Sequence, residues 1–450
     1  MFHKFSFHDI NLVLDVNSGT VHSLDQVAWD VIDFYNEGVD SIKSNLEDKY
    51  SEEVIEEAYQ ELKELEDNQL FESSDSYREK VVGKEKSGEL KAMCFNIAHD
   101  CNIRCGYCFA STGDYHGGRK LMSLETAKAG IDFLLKKSGK RKRLEVDFFG
   151  GEPLLNFDVI KETVKYGREK EKELGKRIGF TMTTNGVLLN DEIIDFLNEN
   201  MDNVVISLDG RPEVNDKMRK FVGGKGTTEE LIPLIKKFVE KRGEKSYYIR
   251  GTYTAYNLDF SNDVLFMADQ GFREISVEPV VADKERPYAI TEKHMPGIFA
   301  EYDKLADEYL RYKAEGRPFH FYHFMMDMDG GPCVYKRVSS CGAGVEYFAI
   351  TPDGELYPCH QFVGREEYLM GNITKGILRE DLVKKFSENT VYHKEKCKEC
   401  WAKFHCSGGC QANAEAFNGK LSEPYDIECQ LQKKRIECAL AIQAEAILAE

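Results

Sequence analysis

Two short apolar runs, residues 5–7 and 12–14, open the chain as strand-like segments. Asn17-Ser18-Gly19 is turn chemistry, and Thr20-Val21-His22 returns the chain as a third strand. Ser23, with Gln26 three residues on, has the form of a helix capping box. Apolar residues then recur at helical spacing at Val27, Ala28, Val31, Ile32 and Tyr35, and again at Val54, Ala58, Leu62 and Leu65. This order predicts a small α+β unit over residues 1–72. Residues 73–90 are polar and contain Ser and Gly, the composition of a linker. From residue 91 the pattern changes. Strand candidates at 92–97, 144–149, 179–184, 204–208, 247–253 and 275–278 alternate with charged, helix-period segments such as 124–137 and 158–174. Six βα repeats predict an α/β fold over 91–320, with a parallel sheet curved or closed like a barrel. In such folds chemistry gathers at the C-terminal ends of the strands. A long helix is expected at 295–313. Residues 321–450 are cysteine-rich and weakly periodic, and a helix over 431–448 ends the chain.

A length of 450 residues allows about two to four domains. The net charge of -18, from 60 basic and 78 acidic residues, argues against nucleic acid as a partner, because phosphate backbones demand clustered Lys and Arg. Met1-Phe2-His3-Lys4-Phe5 has no signal-peptide character, and no stretch approaches the ~18 apolar residues of a membrane span. A cytoplasmic protein without a membrane partner is expected. There, 13 cysteines point to metal or cluster ligation rather than disulfides. They fall into two groups, one from Cys94 to Cys108 and one from Cys333 to Cys438, which predicts two metal-bearing regions.

Cys101, Cys105 and Cys108 form a C-x3-C-x2-C motif just after the first strand of the repeat region. Three thiolates on a tight loop can hold three corners of a [4Fe–4S] cluster, leaving one iron open. A zinc site with His99 as fourth ligand is the alternative. The spacing resembles that of the radical S-adenosylmethionine (SAM) superfamily. In that family the open iron chelates SAM, and one electron cleaves it to a 5′-deoxyadenosyl radical that abstracts a substrate hydrogen. The resemblance runs over roughly residues 91–280. It implies that Tyr107 contacts adenine and that Gly150-Gly151-Glu152-Pro153 binds the SAM amino group. Thr184 and Asn185 of Thr183-Thr184-Asn185-Gly186 and Ser207 and Asp209 of Ser207-Leu208-Asp209-Gly210 would line the same pocket, with Ser207 on the ribose or carboxylate. Arg219, after Asn215-Asp216, would pair with the SAM carboxylate, which a planar guanidinium suits; the alternative is a solvated charge.

Cys341-x12-Gly354-x4-Cys359 followed by Cys397-x2-Cys400-x5-Cys406-x3-Cys410 and Cys429 resembles the SPASM domain, which carries auxiliary [4Fe–4S] clusters. The resemblance implies a distal cluster on Cys397, Cys400, Cys406 and Cys429. It implies a proximal one on Cys341, Cys359 and Cys410, with Cys333 or a substrate thiolate as fourth ligand. Three [4Fe–4S] clusters in all are therefore expected. Cys94 and Cys438 have no slot and read as buried small hydrophobes. His360, after Cys359, stands where sulfatase maturases of this family carry an Asp base; it reads either as a base or as a hydrogen bonder beside the cluster.

The strand-strand-strand-helix order of residues 1–72 resembles a PqqD-like recognition element, a winged-helix module that adds a leader peptide as a strand to its sheet. A structural extension is the alternative. The assembly resembles maturases of ribosomally made peptides, and Cys359-His360-Gln361-Phe362 resembles those of six-cysteine SCIFF peptides, which link a Cys sulfur to an α-carbon. It implies a Cys-rich precursor peptide and a reductant such as flavodoxin or ferredoxin as partners. Other peptide modifications (a carbon–carbon link, an epimerisation, a thioether at a β- or γ-carbon) and sulfatase-type maturation are the alternatives.

Overall fold

The computed structural model describes residues 1–83, 88–326 and 334–448. Phe2–Phe7, Ile10–Asp15 and Val21–Leu24 form an antiparallel sheet in that order. Successive residues of the middle strand face opposite ways, and both faces are used. Leu12 and Leu14 join the main core of the body, whereas Val13 packs with Val31, Ile32, Ile42, Ile55 and Leu62 of the unit's own helices. The sheet is thus held between its helices and the rest of the protein. Two expectations are corrected here. The helix cap is Asp25, whose carboxylate accepts from the Ala28 N–H, and not Ser23, which is still in the third strand. The helix Glu52–Asp67 buries Ile55, Ala58 and Leu62, while Val54 is exposed.

Within the expected linker, residues 73–83 pack on the rest of the protein. Ser73 is buried and bonds the Asp15 carboxylate, and a helical turn, Arg78–Val81, places Val81 in a second core with Val16, Val391, Cys397 and Phe404. Polar composition concealed this because the segment contributes only Tyr77 and Val81 to that contact.

The body is α/β. Six parallel strands, Ala92–His99, Arg143–Gly150, Arg177–Thr184, Asn203–Ser207, Tyr247–Tyr253 and Glu274–Pro279, pair in sequence order. Leu144, Val146 and Phe148, like Ile178, Phe180 and Met182, are buried under the helices. Glu145, Asp147, Thr181 and Thr183 alternate onto the concave face. Among the described residues the sheet path is open, so this is a partial barrel. Both its edges are extended from the C-terminal region. His320–Phe321 pairs with the sixth strand, and Tyr347–Ile350 runs parallel to the first and continues into Glu355–Tyr357 and two shorter strands. The barrel and the cysteine-rich region therefore share one sheet, with no seam at residue 320. The last helix, Asp426–Leu448, returns across the helix Met295–Ala314, where the buried Arg435 donates to the Tyr302 hydroxyl at 2.7 Å. No described helix is long and apolar enough to cross a membrane.

Candidate functional site

The first strand ends at His99, and the chain turns into the Cys101 loop at the C-terminal mouth of the barrel. The loop is built by short-range bonds. Asp100 accepts from the Cys101 N–H at 2.8 Å, and the Arg104 guanidinium donates to the carbonyls of Cys101 and Ile103 at 2.6 and 2.7 Å. Ile103–Cys105 pairs antiparallel with Arg219–Phe221, placing Arg219 opposite Cys105. Burial pushes the Cys101 and Cys105 thiols up to about 11 and raises Cys108 as well, and the thiols also act on one another. Thiolates in this position need a bound cation, and binding iron would expel their protons.

Three glycines let the backbone close on this loop. A Cβ at Gly113 would lie 2.6 Å from the Cys101 Cβ, one at Gly151 2.2 Å from the Asp100 carbonyl oxygen, and one at Gly150 2.3 Å from that of Ala98. Gly150 also has φ +131°, which side chains rarely adopt. Glu152 follows, fully buried before Pro153. Its Oε1 accepts from the Leu154 N–H (3.0 Å) and the Thr184 hydroxyl (2.6 Å), and its Oε2 from the Asn185 N–H (2.7 Å). Asn185 in turn sets its Nδ2 3.7 Å from the Cys101 Sγ and 2.8 Å from the Asn102 Oδ1. The Glu152 carboxylate therefore ties the second and third strand ends to the cysteine loop.

Arg219 is not a solvated charge; it is 6% exposed, and its Nε has no partner among the described residues. Its Nη1 donates to the Tyr107 hydroxyl at 3.2 Å, and that hydroxyl lies 2.8 and 2.7 Å from the two oxygens of Asp209. The Thr252 N–H also bonds Asp209, whose carboxyl burial pushes up. Ser207 ends the fourth strand beside this triad.

The C-terminal thiols form two groups. Burial pushes Cys406 and Cys429 up to about 12, and Cys397 and Cys400 act on both. Burial raises Cys359, with Cys410 and Cys341 beside it, and takes Cys410 to about 12. Cys333 lies outside the described residues. Cys94 and Cys438 are both buried. Among the described residues no three His, Cys, Asp or Glu side chains converge as a single-ion site. Two charged residues, Lys394 buried and Glu428 half-buried, escaped sequence reading. Lys394, 1% exposed, donates to the Gly408 carbonyl at 2.6 Å with Cys397, Cys406 and Cys410 near it. Glu428 accepts from the Cys410 N–H and Asn413. Within Lys394-Glu395-Lys396 the lysine carries no signal that separates it from a solvated charge. An ammonium with one hydrogen bond amid thiols fits an anionic, thiolate-ligated cluster. His360 is packed against Phe149 and Phe109 at 4.7 and 5.6 Å, and burial lowers it to about 4, so it is neutral near pH 7.

Residues 95–256 match the model of the radical SAM superfamily. The chain carries a radical SAM domain. Residues 341–401 of this radical SAM enzyme match the SPASM iron–sulfur cluster-binding domain. It is 28% identical over 340 residues to the cysteine-type anaerobic sulfatase-maturating enzyme of Clostridium novyi, covering 70% of this chain and 86% of the relative. In fold it is similar to anSMEcpe with bound AdoMet and Kp18Cys peptide, with a TM-score of 0.66, 20% identity, and 80% and 100% of the two chains covered. It is also similar to Streptococcus suis SuiB bound to S-adenosylmethionine, with a TM-score of 0.51, 18% identity, and 95% and 100% covered. The radical SAM and SPASM domains carry [4Fe–4S] clusters and SAM.

Proposed function

We propose that this radical SAM enzyme matures a ribosomally made, Cys-rich peptide by linking a Cys sulfur to the α-carbon of another residue. The observation that carries the reading is the placing of the thiols. Cys101, Cys105 and Cys108 sit at the C-terminal mouth of the barrel. Cys341 lines a cavity of about 120 Å³ with Lys91, Ala92, Glu145, Asp147 and Thr181, where the strands begin. A peptide lying through the barrel would have a C–H bond near one set and a thiol near the other.

The first set would hold the SAM-binding cluster, and Tyr107, Gly150, Gly151, Glu152, Pro153, Thr184, Asn185, Ser207, Asp209 and Arg219 would shape the SAM pocket. Cys341, Cys359 and Cys410 would hold a proximal cluster, and Cys397, Cys400, Cys406 and Cys429 a distal one, three in all. SAM held at this site would supply a 5′-deoxyadenosyl radical, with a flavodoxin or ferredoxin as the proposed reductant. Forming C–S from C–H and S–H removes two hydrogens. One leaves as the abstracted atom; the other leaves as a proton and an electron, and the clusters that Cys341, Cys359 and Cys410 and Cys397, Cys400, Cys406 and Cys429 would hold would supply the one-electron acceptor chemistry. The protein would act in the cytoplasm.

Residues 1–72 are proposed to read the leader. Among the described residues the strand Val21–Leu24 pairs on one side only, leaving an edge to which an extended peptide can add. The alignment with SuiB, covering 95% of the chain, extends into this unit. Sulfatase-type maturation is the second reading, favoured by the Clostridium novyi relative. A Cys-rich precursor deuterated at the acceptor α-carbon separates them. The expected result is deuterium in 5′-deoxyadenosine and a product about 2 Da lighter per crosslink. Transfer only from a β-carbon would overturn the α-thioether assignment. An untouched precursor alongside an oxidised sulfatase peptide would establish the second reading.

A further inference from the structure

Most cations inside this protein have partners: Arg219 has Tyr107, Arg435 has Tyr302 and Glu278, and Arg242 donates to four backbone carbonyls. Arg250 differs. It stands on the fifth barrel strand, in register with Ser207 on one side and Ser276 on the other. Tyr247, Ile249 and Tyr253 are buried on the outer face of that strand, so alternation puts Arg250 on the inner face with Tyr248 and Thr252. It is exposed there, and its guanidinium makes no hydrogen bond or ion pair among the described residues.

Its charge acts on four groups from different elements: Asp147 on the second strand, Glu278 on the sixth, His323 after it, and His360 beside Cys359. The two acids are engaged elsewhere. Asp147 accepts from the Thr181 hydroxyl at 2.8 Å, and Glu278 lies 3.1 Å from the His323 Nε2 and 3.5 Å from the Arg435 Nη2. A five-donor planar fork is thus left open, between the Ser207 end of the SAM pocket and the His360 side of the proximal thiols. The SAM carboxylate has its own candidate in Arg219.

We propose that Arg250 is a specificity residue that binds a carboxylate of the peptide substrate, an Asp or Glu side chain or the chain terminus, close to the residue being modified. This rests on the peptide-maturase reading. The test below reads Arg250 without turnover, so it gives a result even if no precursor is modified.

The experiment is phenylglyoxal labelling of the anaerobic, cluster-loaded full-length protein, with the modification of Arg250 followed by mass spectrometry of the peptide that contains it. It is run without SAM, with SAM, and with SAM plus capped Gly-Glu-Gly or Gly-Gln-Gly. The expected result is that Arg250 reacts faster than Arg219 in the SAM-bound protein. Gly-Glu-Gly, at about twice its dissociation constant, should then slow Arg250 about threefold, while Gly-Gln-Gly does not. Equal effects of the two peptides, or an Arg250 no more reactive than Arg219, would overturn the proposal. Full protection by SAM alone would assign the guanidinium to the SAM carboxylate instead.

Discussion

Replacing Glu152 by Gln changes one oxygen to an NH2 group and little else, yet it should loosen the cysteine loop. Both carboxylate oxygens face backbone donors, Oε1 the Leu154 N–H and Oε2 the Asn185 N–H. Whichever way the amide is turned, its NH2 points at a buried N–H, and that N–H loses its acceptor. Leaving a buried donor unsatisfied costs about 1–3 kcal/mol, and the remaining bond is no longer to a charge. We take about 2 kcal/mol as the local effect, which corresponds to a ~30-fold change in an opening equilibrium. The Asn185 side chain carries that opening to Cys101. Hydrogen exchange by mass spectrometry over residues 183–189 should therefore speed up by roughly that factor in Glu152→Gln. Peptides from the outer helices, such as Met295–Ala314, should be unchanged. Iron should be lost from the reconstituted variant faster than from the parent. Exchange within about twofold of the parent, a change of roughly 0.4 kcal/mol, would refute the geometric argument.

Other consequences are open to measurement. Replacing Cys101, Cys105 and Cys108 together by Ala should abolish 5′-deoxyadenosine formation and lower iron by about four atoms per chain; unchanged SAM cleavage would remove the assignment. Deleting residues 1–72 should disturb the C-terminal cores as well as the proposed leader binding. It strips Leu12 and Leu14 from the main core, Val16 from the Cys397 core, and the His3 ring stacked 3.7 Å from Trp401, so iron at the distal site should fall with it; full iron content in the truncated protein would show the unit to be dispensable there. Acid stability should depend on Glu278 and His323. Burial opposes charge on both, yet His323 and Arg435 hold the Glu278 carboxyl below its ordinary range, while burial holds His323 below its own. In each case the unfolded chain binds more protons than the folded one, so stability present near neutral pH is lost as pH falls from about 6.5 through the carboxylate range. Glu278→Gln with His323→Gln should flatten that acid limb in thermal unfolding followed by circular dichroism; an unchanged slope would count against it.

Much was legible in the chain because it is local. Strand–helix alternation from residue 91 is written in periods of 2 and 3.6, and the partial barrel follows from it. The spacing of Cys101, Cys105 and Cys108 needs no distant partner to be read, and neither does the helix Met295–Ala314, whose apolar stripe is complete in sequence. What the tertiary structure alone decided depends on residues far apart. Lys394 looks like an ordinary surface charge until the chain folds over it and burial makes its partners matter. Glu152 belongs to a recognisable motif, but its role as the tie between two strand ends and the cysteine loop exists only once Asn185 is beside it. Residues 1–90 are locally a polar-linked unit, yet Leu12, Val16 and Val81 pack on the body. Val13 and Leu12 face opposite sides because a strand alternates, and no period in the sequence says that both sides will be covered. Arg250 sits inside the lumen without a partner among the described residues for the same reason: its place is set by strand pairing, its freedom by where Asp147 and Glu278 find theirs.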